Sequence, residues 1–242
     1  MAQTNMRATW NGGVIQFRDD RYSPQEGASL WELAPILAAM DPASAFFLDD
    51  DFLGNFDAVG AYTKTATTGT TLLINAAGGV VEASTAATLN DVTSFQSNSE
   101  SVQLAAGKPA FFEARAQLSD ATASAMVVGL CKTNTTLFTA ISDGVYFSKQ
   151  SGGTALSFNV AKSGSTTQQT NLATLANSTY MRLGFYFDGA GNVTPYVNGV
   201  AGIAVATNVP NTQTLTPTFG VQAGAGAVKK LDVDYYQFMQ AR

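Results

Sequence analysis

The stretch from Thr179 to Gly199, TYMRLGFYFDGAGNVTPYVNG, writes out a β-hairpin residue by residue. Met181, Leu183, Phe185 and Phe187 alternate with Tyr180, Arg182, Gly184 and Tyr186, so one face is apolar and the other mixed, as a half-buried strand requires. Asp188-Gly189-Ala190-Gly191-Asn192 then supplies glycines and short polar side chains that tolerate positive φ, and Val193, Pro195 and Val197 resume the apolar face on the return strand. Asn198-Gly199 turns the chain again. Such a motif speaks to fold far more than to function.

The same grammar runs through the chain from Ala45 onward, where helical signals vanish and short strands follow one another between Gly, Asn, Asp, Ser and Thr turns. Strands are predicted at Phe46 to Phe52, Thr71 to Asn75, Val80 to Ala83, Ser101 to Leu104 and Ala110 to Leu118. The series continues at Ala125 to Lys132, Gly144 to Ser148, Ala155 to Ala161, Thr167 to Leu172, Tyr180 to Phe187, Asn192 to Val197, Thr218 to Gln222 and Lys230 to Met239. Phe112, Ala114, Ala116 and Leu118 alternate with Phe111, Glu113, Arg115 and Gln117, and Leu156, Phe158 and Val160 with Ser157 and Asn159. The expected fold is all-β, two antiparallel sheets packed around one apolar interior. In the last strand the period breaks at Tyr235-Tyr236, which predicts a bulge there or burial of both faces. The Thr/Ala-rich stretches Thr63 to Thr71 and Ser84 to Thr88 read as edge strands or connecting loops.

Residues 1–45 read differently. Trp10, Val14, Ile15 and Phe17 show no sustained period before the charged cluster Arg18-Asp19-Asp20-Arg21 and the turn-prone Ser23-Pro24. Ser29-Leu30-Trp31-Glu32 has the spacing of a capping box and opens a predicted short helix through Met40, with Pro35 in its first turn or kinking it. Both tryptophans of the chain fall in this segment. It reads either as an N-terminal arm that docks elsewhere or as a strand and helix folded onto the main domain, which spans residues 46–242.

Composition removes whole classes of chemistry. A chain without histidine has no imidazole general base or zinc ligand, which sets aside Ser-His-Asp and Cys-His catalysis and most zinc hydrolases. The lone Cys131 excludes an intrachain disulfide, and its apolar neighbours mark it as a small buried hydrophobe. Net charge is -5 and the basic residues are scattered, so no nucleic-acid partner is expected. Lys229-Lys230, the only adjacent basic pair, reads as a solvated loop. Charged residues make up 13% of the chain against roughly 25% in ordinary globular proteins, a surface better suited to packing against neighbours than to free diffusion. The opening MAQTNMRATWNGG carries no signal-peptide core, and no window approaches the roughly 18 apolar residues of a membrane span. Synthesis in a cytoplasm and no membrane partner are the expectations.

Several segments carry a family resemblance. Phe52 after Asp49-Asp50-Asp51 resembles the opening strand of concanavalin A-like lectin/glucanase domains, and Phe111-Phe112-Glu113-Ala114-Arg115 resembles their outer-sheet strand. Leu183-Gly184-Phe185-Tyr186-Phe187-Asp188 with Val197-Asn198-Gly199 is similar to the hairpin of laminin-G-like members, and Leu231-Asp232-Val233-Asp234-Tyr235-Tyr236 to their closing strand. The resemblance covers about residues 46–242 and implies a jelly-roll sandwich. The low-charge, Thr/Ala/Gly-rich style with a short polar arm further resembles structural proteins of tailed bacteriophages, particularly head decoration or cement proteins.

Glycosidases of this fold use paired carboxylates, in the endoglucanase family as a Glu-x-Asp-x-x-Glu strand, and nothing here matches it. Glu113 and Arg115 read as a surface ion pair. Asp232 and Asp234 share a face of the last strand but lack a third acid nearby. Asp49-Asp50-Asp51 invites a calcium reading, yet neighbouring strand residues point to opposite faces, so a solvated strand start is expected. Gly224-Ala225-Gly226 lacks the helix that would hold a phosphate. No cofactor or metal is expected. Tyr146, Tyr180, Tyr186, Tyr196 and Phe111 lie on the less apolar sides of their strands; they form a glycan platform or pack against loops, the arm or a neighbouring subunit.

The expectation drawn from all this is a non-enzymatic virion protein on the capsid surface, a decoration or cement protein contacting the major capsid protein and copies of itself, with a trimer suiting threefold positions. Trp10, Phe17 and Trp31 are its candidate anchors. The alternative is a lectin-like carbohydrate-binding module of a phage tail or fibre, using Tyr146, Tyr186 and Tyr196.

Overall fold

The computed structural model describes residues 6–11, 14–19, 43, 45–53, 61–74 and 78–242. Its strands in chain order are β1 (Met6–Asn11), β2 (Val14–Asp19), β3 (Ala45–Asp50), β4 (Tyr62–Ala66), β5 (Thr70–Ile74) and β6 (Val80–Ser84). They continue with β7 (Val92–Ser97), β8 (Ala110–Leu118), β9 (Ser124–Cys131), β10 (Gly144–Lys149), β11 (Ala155–Lys162) and β12 (Ser165–Thr174). The last five are β13 (Met181–Phe187), β14 (Val193–Val197), β15 (Val200–Ala201), β16 (Thr216–Ala223) and β17 (Lys230–Ala241).

Two antiparallel sheets form a sandwich, as the alternating pattern predicts. The seven-stranded sheet has the order β12-β11-β10-β9-β16-β7-β4, and the eight-stranded sheet β15-β14-β13-β8-β17-β6-β5, with β3 also on β17. Jelly-roll crossings are visible in that order, since strands distant in sequence, such as β8 and β17, lie side by side. The inward rows of the two sheets meet in one core. Phe95 stacks on Phe219 with ring centroids 4.9 Å apart, Phe112 on Phe185 at 5.2 Å, and Phe147 meets Phe158 at 5.0 Å. All six rings are fully buried, and each contributes on the order of 1.5–3 kcal/mol by leaving water. Tyr62 of β4 donates its hydroxyl to Asp50 of β3 at 2.5 Å and lies 3.1 Å from the Tyr236 hydroxyl of β17, a polar clip between the two sheets.

The hairpin in Thr179–Gly199 forms as written, Phe187 facing Val193 across the turn. Asp188 caps that turn by accepting the N–H groups of Ala190 and Asn192 at 2.7 and 2.9 Å. Asn198 and Gly199 both have positive φ, 52° and 83°, the geometry of a two-residue hairpin turn into β15.

Four expectations are corrected. Ser101 to Leu104 is not a strand; only Val102 forms an isolated bridge, to Leu215. The strand β7 has no counterpart among the predicted strands, because its polar residues are buried and bonded internally: Thr93 donates to the Ser84 carbonyl and Gln96 to Thr218. The aperiodic stretch around Trp10 and Phe17 is a hairpin, β1 pairing β2 with Trp10 opposite Ile15 and Phe17 opposite Ala8. The Lys229-Lys230 pair is no solvated loop, since Lys229 is buried on Asp120 at 2.6 Å and Lys230 binds Glu82 at 2.9 Å. The bulge in β17 does exist, one residue earlier than the period break suggests: the register with β8 shifts between Val233 and Tyr235. Inward positions therefore run Leu231, Val233 and then Tyr236, Phe238. The helix expected over Ser29 to Met40, and Trp31 with it, lies outside the described residues.

Candidate functional site

Two outward faces carry functional groups. On the eight-stranded sheet, alternation in β8 sends Phe112, Ala114 and Ala116 to the core and leaves Phe111, Glu113, Arg115 and Gln117 on the outer side. Register with β17 sets Asp232 opposite Gln117, Tyr235 opposite Arg115 and Met239 opposite Phe111. Gln117 donates to Asp232 at 2.8 Å, Tyr235 donates its hydroxyl to Glu113 at 2.8 Å, and Arg115 pairs with Asp234. The Arg115 guanidinium also sits over the Tyr180 ring, 4.0 Å from its centroid. The second oxygen of Asp232 is buried with no hydrogen-bond partner, and burial raises that carboxyl above its ordinary range, the Gln117 bond opposing.

This network reassigns the predicted charges. Arg115 pairs not with Glu113 but with Asp234, because the bulge turns Asp234 toward it. Glu113 is instead buried under Tyr235 at 4% exposure. Asp232 and Asp234 thus have separate partners, an amide and a guanidinium. Beside them Phe111 stacks on Tyr186 at 4.7 Å, and Tyr196 and Met239 complete a small apolar cluster.

The outer face of the seven-stranded sheet is different in kind. Tyr146 and Ser148 of β10, Asn159 of β11 and Thr166 and Gln168 of β12 line a cleft of about 250 Å³. Leu137, Phe138 and Ile141 of the β9–β10 loop form its apolar wall. Asn159 donates to Ser148 and accepts from Gln168, both at 2.8 Å, which fixes the orientation of all three side chains. No charged residue lines the cleft. Burial pushes the Tyr146 hydroxyl up to about 12, so it is a neutral hydrogen-bonding group. The close approach of β9 beside it, with Gly129 opposite Tyr146, needs that glycine, where an added Cβ would lie 2.5 Å from the Val145 carbonyl oxygen.

The three tyrosines expected on one glycan face are therefore divided. Tyr186 and Tyr196 share the outer side of the eight-stranded sheet, whereas Tyr146 belongs to the cleft on the opposite sheet. Strand alternation correctly puts each outward, but only sheet order says which sheet it leaves from. Of the polar lining residues the sequence pattern marks only Asn159, by its alternation with Phe158 and Val160; the convergence of Ser148, Asn159 and Gln168 depends on register. Trp10 and Phe17 lie on the β1–β2 hairpin. Of the aspartate run, Asp50 accepts the Phe52 N–H at 2.8 Å and the Tyr62 hydroxyl. Among the described residues no group of three acidic or cysteine side chains is placed to hold a metal ion.

No family model matches the sequence, and no curated protein matches it. Solved structures do match in shape. A β-glucanase of Bacillus licheniformis superposes with a TM-score of 0.58 at 14% identity, over 81% of this chain and 98% of that one. An endo-1,3-β-glucanase of Streptomyces sioyaensis gives 0.59 at 12% identity, over 82% and 97%. A protein of unknown function from Shewanella oneidensis gives 0.57 at 12% identity, over 82% and 87%. With two antiparallel sheets in the same sandwich, the chain has the concanavalin A-like jelly-roll fold of these glucanases.

Proposed function

We propose that this chain is a non-catalytic virion structural protein that decorates the surface of a phage head, binding the major capsid protein and copies of itself. The observation that carries the reading is the β1–β2 hairpin, whose two strands pair only with each other among the described strands and bear Trp10 and Phe17 ahead of the sandwich. Large aromatic residues are enriched among the anchors of protein interfaces. A surface with few charges supports the same reading, as does the engagement of Glu113, Asp232 and Asp234 with Tyr235, Gln117 and Arg115. Repetition over a closed shell turns a modest contact into net reinforcement. The glucanase neighbours share the fold at 12–14% identity, and fold does not carry function.

The test is co-sedimentation of the full chain with heads of the phage that encodes it, lacking this protein. Saturable binding, lost in a Trp10→Ala/Phe17→Ala variant that keeps its melting temperature, is the expected result. Heads that never retain the protein overturn the reading.

A second reading is favoured by the cleft: about 250 Å³ holds one sugar ring, and the lining combines Tyr146 with amide and hydroxyl groups and no charge. On that reading the protein is a lectin-like module for neutral glycans. A glycan array with wild type and Gln168→Ala separates the two, since only a lectin gives signals that the substitution weakens.

A further inference from the structure

Strand β3 is joined to the sandwich along one side only among the described strands. Its six residues pair with the C-terminal half of β17, Ala45 opposite Ala241 and Asp50 opposite Tyr236, and no other described strand pairs with it. Of those six only Ala45 is buried. Phe46 and Leu48 are partly buried against the core, and Phe47 is 43% exposed. A short edge strand with so few buried apolar side chains belongs to the part of a fold that opens most easily.

The chain is caught immediately after this strand. Phe52 is 1% exposed, its ring packed among those of Tyr62, Phe95 and Tyr236 at centroid distances of 6.2, 6.2 and 6.1 Å. Its backbone is left-handed, with φ 49°, a conformation that a bulky residue adopts only where its surroundings impose it. Asp50 sets the turn, accepting the Phe52 N–H at 2.8 Å with one oxygen and the Tyr62 hydroxyl at 2.5 Å with the other. Tyr62 in turn lies 3.1 Å from the Tyr236 hydroxyl. Gly79, just before β6, closes on the same backbone: an added Cβ there would lie 2.3 Å from the Asp51 carbonyl oxygen. A lightly held strand thus ends in a buried, strained catch that touches both sheets, the seven-stranded one through Tyr62 and the eight-stranded one through Tyr236.

We propose that β3 is a releasable strap, which lifts from β17 as a unit when Phe52 leaves its socket, while the two sheets stay folded. Release relieves the backbone strain at Phe52, and that relief offsets part of the cost of exposing its ring. β3 is the first strand after the β1–β2 hairpin, so freeing Ala45 to Phe52 gives the hairpin roughly 25–30 Å of further reach when that stretch is fully extended. The gain in reach rests on the docking role proposed for the hairpin; the release itself does not.

Native-state hydrogen exchange of the full chain tests the release. The amides of β3 bonded to β17 are expected to exchange through one shared opening, far more often than those of the central strands β9 and β16. Exchange in β3 only together with β9 and β16 overturns the proposal. Tyr62→Phe keeps the ring and removes the hydroxyl, and is expected to speed exchange in β3 about tenfold or more; an unchanged rate would mean that the strand frays without its catch, which also overturns it. Asp49 and Gln237 face each other across the β3–β17 ladder, so Asp49→Cys with Gln237→Cys staples the strap. Oxidised, this variant is expected to exchange in β3 as slowly as in β9, and reduced, to recover the wild-type rate; fast exchange that survives the staple overturns the proposal. On heads, the reduced form is expected to bind more protein at saturation than the oxidised form. Equal binding by the two overturns the gain in reach, whereas heads that retain neither form overturn the docking reading and leave the measured release in place.

Discussion

The Lys229 ammonium lies 2.6 Å from the Asp120 carboxylate, tying the turn after β8 to the entrance of β17. The other oxygen of Asp120 accepts the N–H groups of Ala123 and Thr122 at 2.8 and 3.0 Å. These bonds, that of Ala123 foremost and Lys229 next, hold the Asp120 carboxyl down to about 2 from its ordinary 3.8. A carboxyl lower in the folded than in the unfolded chain stabilises fully above the unfolded value, and the gain is lost as pH falls through the folded one. Urea melts of wild type should therefore weaken between pH 3.8 and about 2 more steeply than those of Asp120→Asn. Parallel acid limbs in the two proteins would show that the pair does not contribute.

Tyr235 and Glu113 make a second dependency. The tyrosine hydroxyl donates to a carboxylate that is 4% exposed, and a buried acceptor that loses its donor costs roughly 1–3 kcal/mol. Tyr235→Phe is expected to lower the unfolding free energy from urea melts by that order, and adding Glu113→Gln should return part of the loss by removing the charge left behind. Additive losses in the double variant would mean that the two side chains act independently.

How far the sequence reached follows from where its information is local. Strand β8 has the ends its alternation predicts because Phe112, Ala114, Ala116 and Leu118 face the core and their neighbours do not. Strand β7 lacks that signal because Thr93, Ser94 and Gln96 are buried by finding partners on β6, β4 and β16, contacts between strands that no pattern within one strand shows. The hairpin at Trp10 offered one signal, Gly12-Gly13 between Asn11 and Val14, a dipeptide suited to tight turns. At the sites, alternation tells that Glu113 and Tyr146 point outward; it cannot tell that Tyr235 covers one and the β9–β10 loop the other. Those are facts of strand order, and strand order in a jelly roll is set by pairings between segments as far apart as Ala45 and Ala241.

Gly129 tests whether the cleft depends on the close approach of β9 to β10 beside Tyr146. A methyl group there would lie 2.6 Å from the Tyr146 Cα as well as 2.5 Å from the Val145 carbonyl oxygen, both backbone atoms that cannot rotate away. Overpacking of this kind typically costs about 1–3 kcal/mol. Gly129→Ala should lower the melting temperature and increase the solvent exposure of Tyr146, read as a rise in near-ultraviolet tyrosine perturbation. An alanine variant as stable as wild type would mean that β9 and β10 slide apart at no cost.

Lys149 extends the first cluster inward and carries the opposite pH sign. Its side chain is 1% exposed, and its ammonium donates to the carbonyl oxygens of Thr122, at 3.1 Å, and Ser124. Desolvation lowers the group to about 8 from 10.5, with Asp120 opposing and Lys229 assisting. Between those two values the unfolded chain binds more protons than the folded one, so stability rises with pH across this window. Lys149→Met keeps a similar volume and removes the titration. The stability of wild type relative to that variant should therefore climb, by on the order of 2 kcal/mol, as pH increases from about 8 to 10.5. A flat difference across the window would mean that the ammonium is as well solvated by the two carbonyls and Asp120 as it is by water.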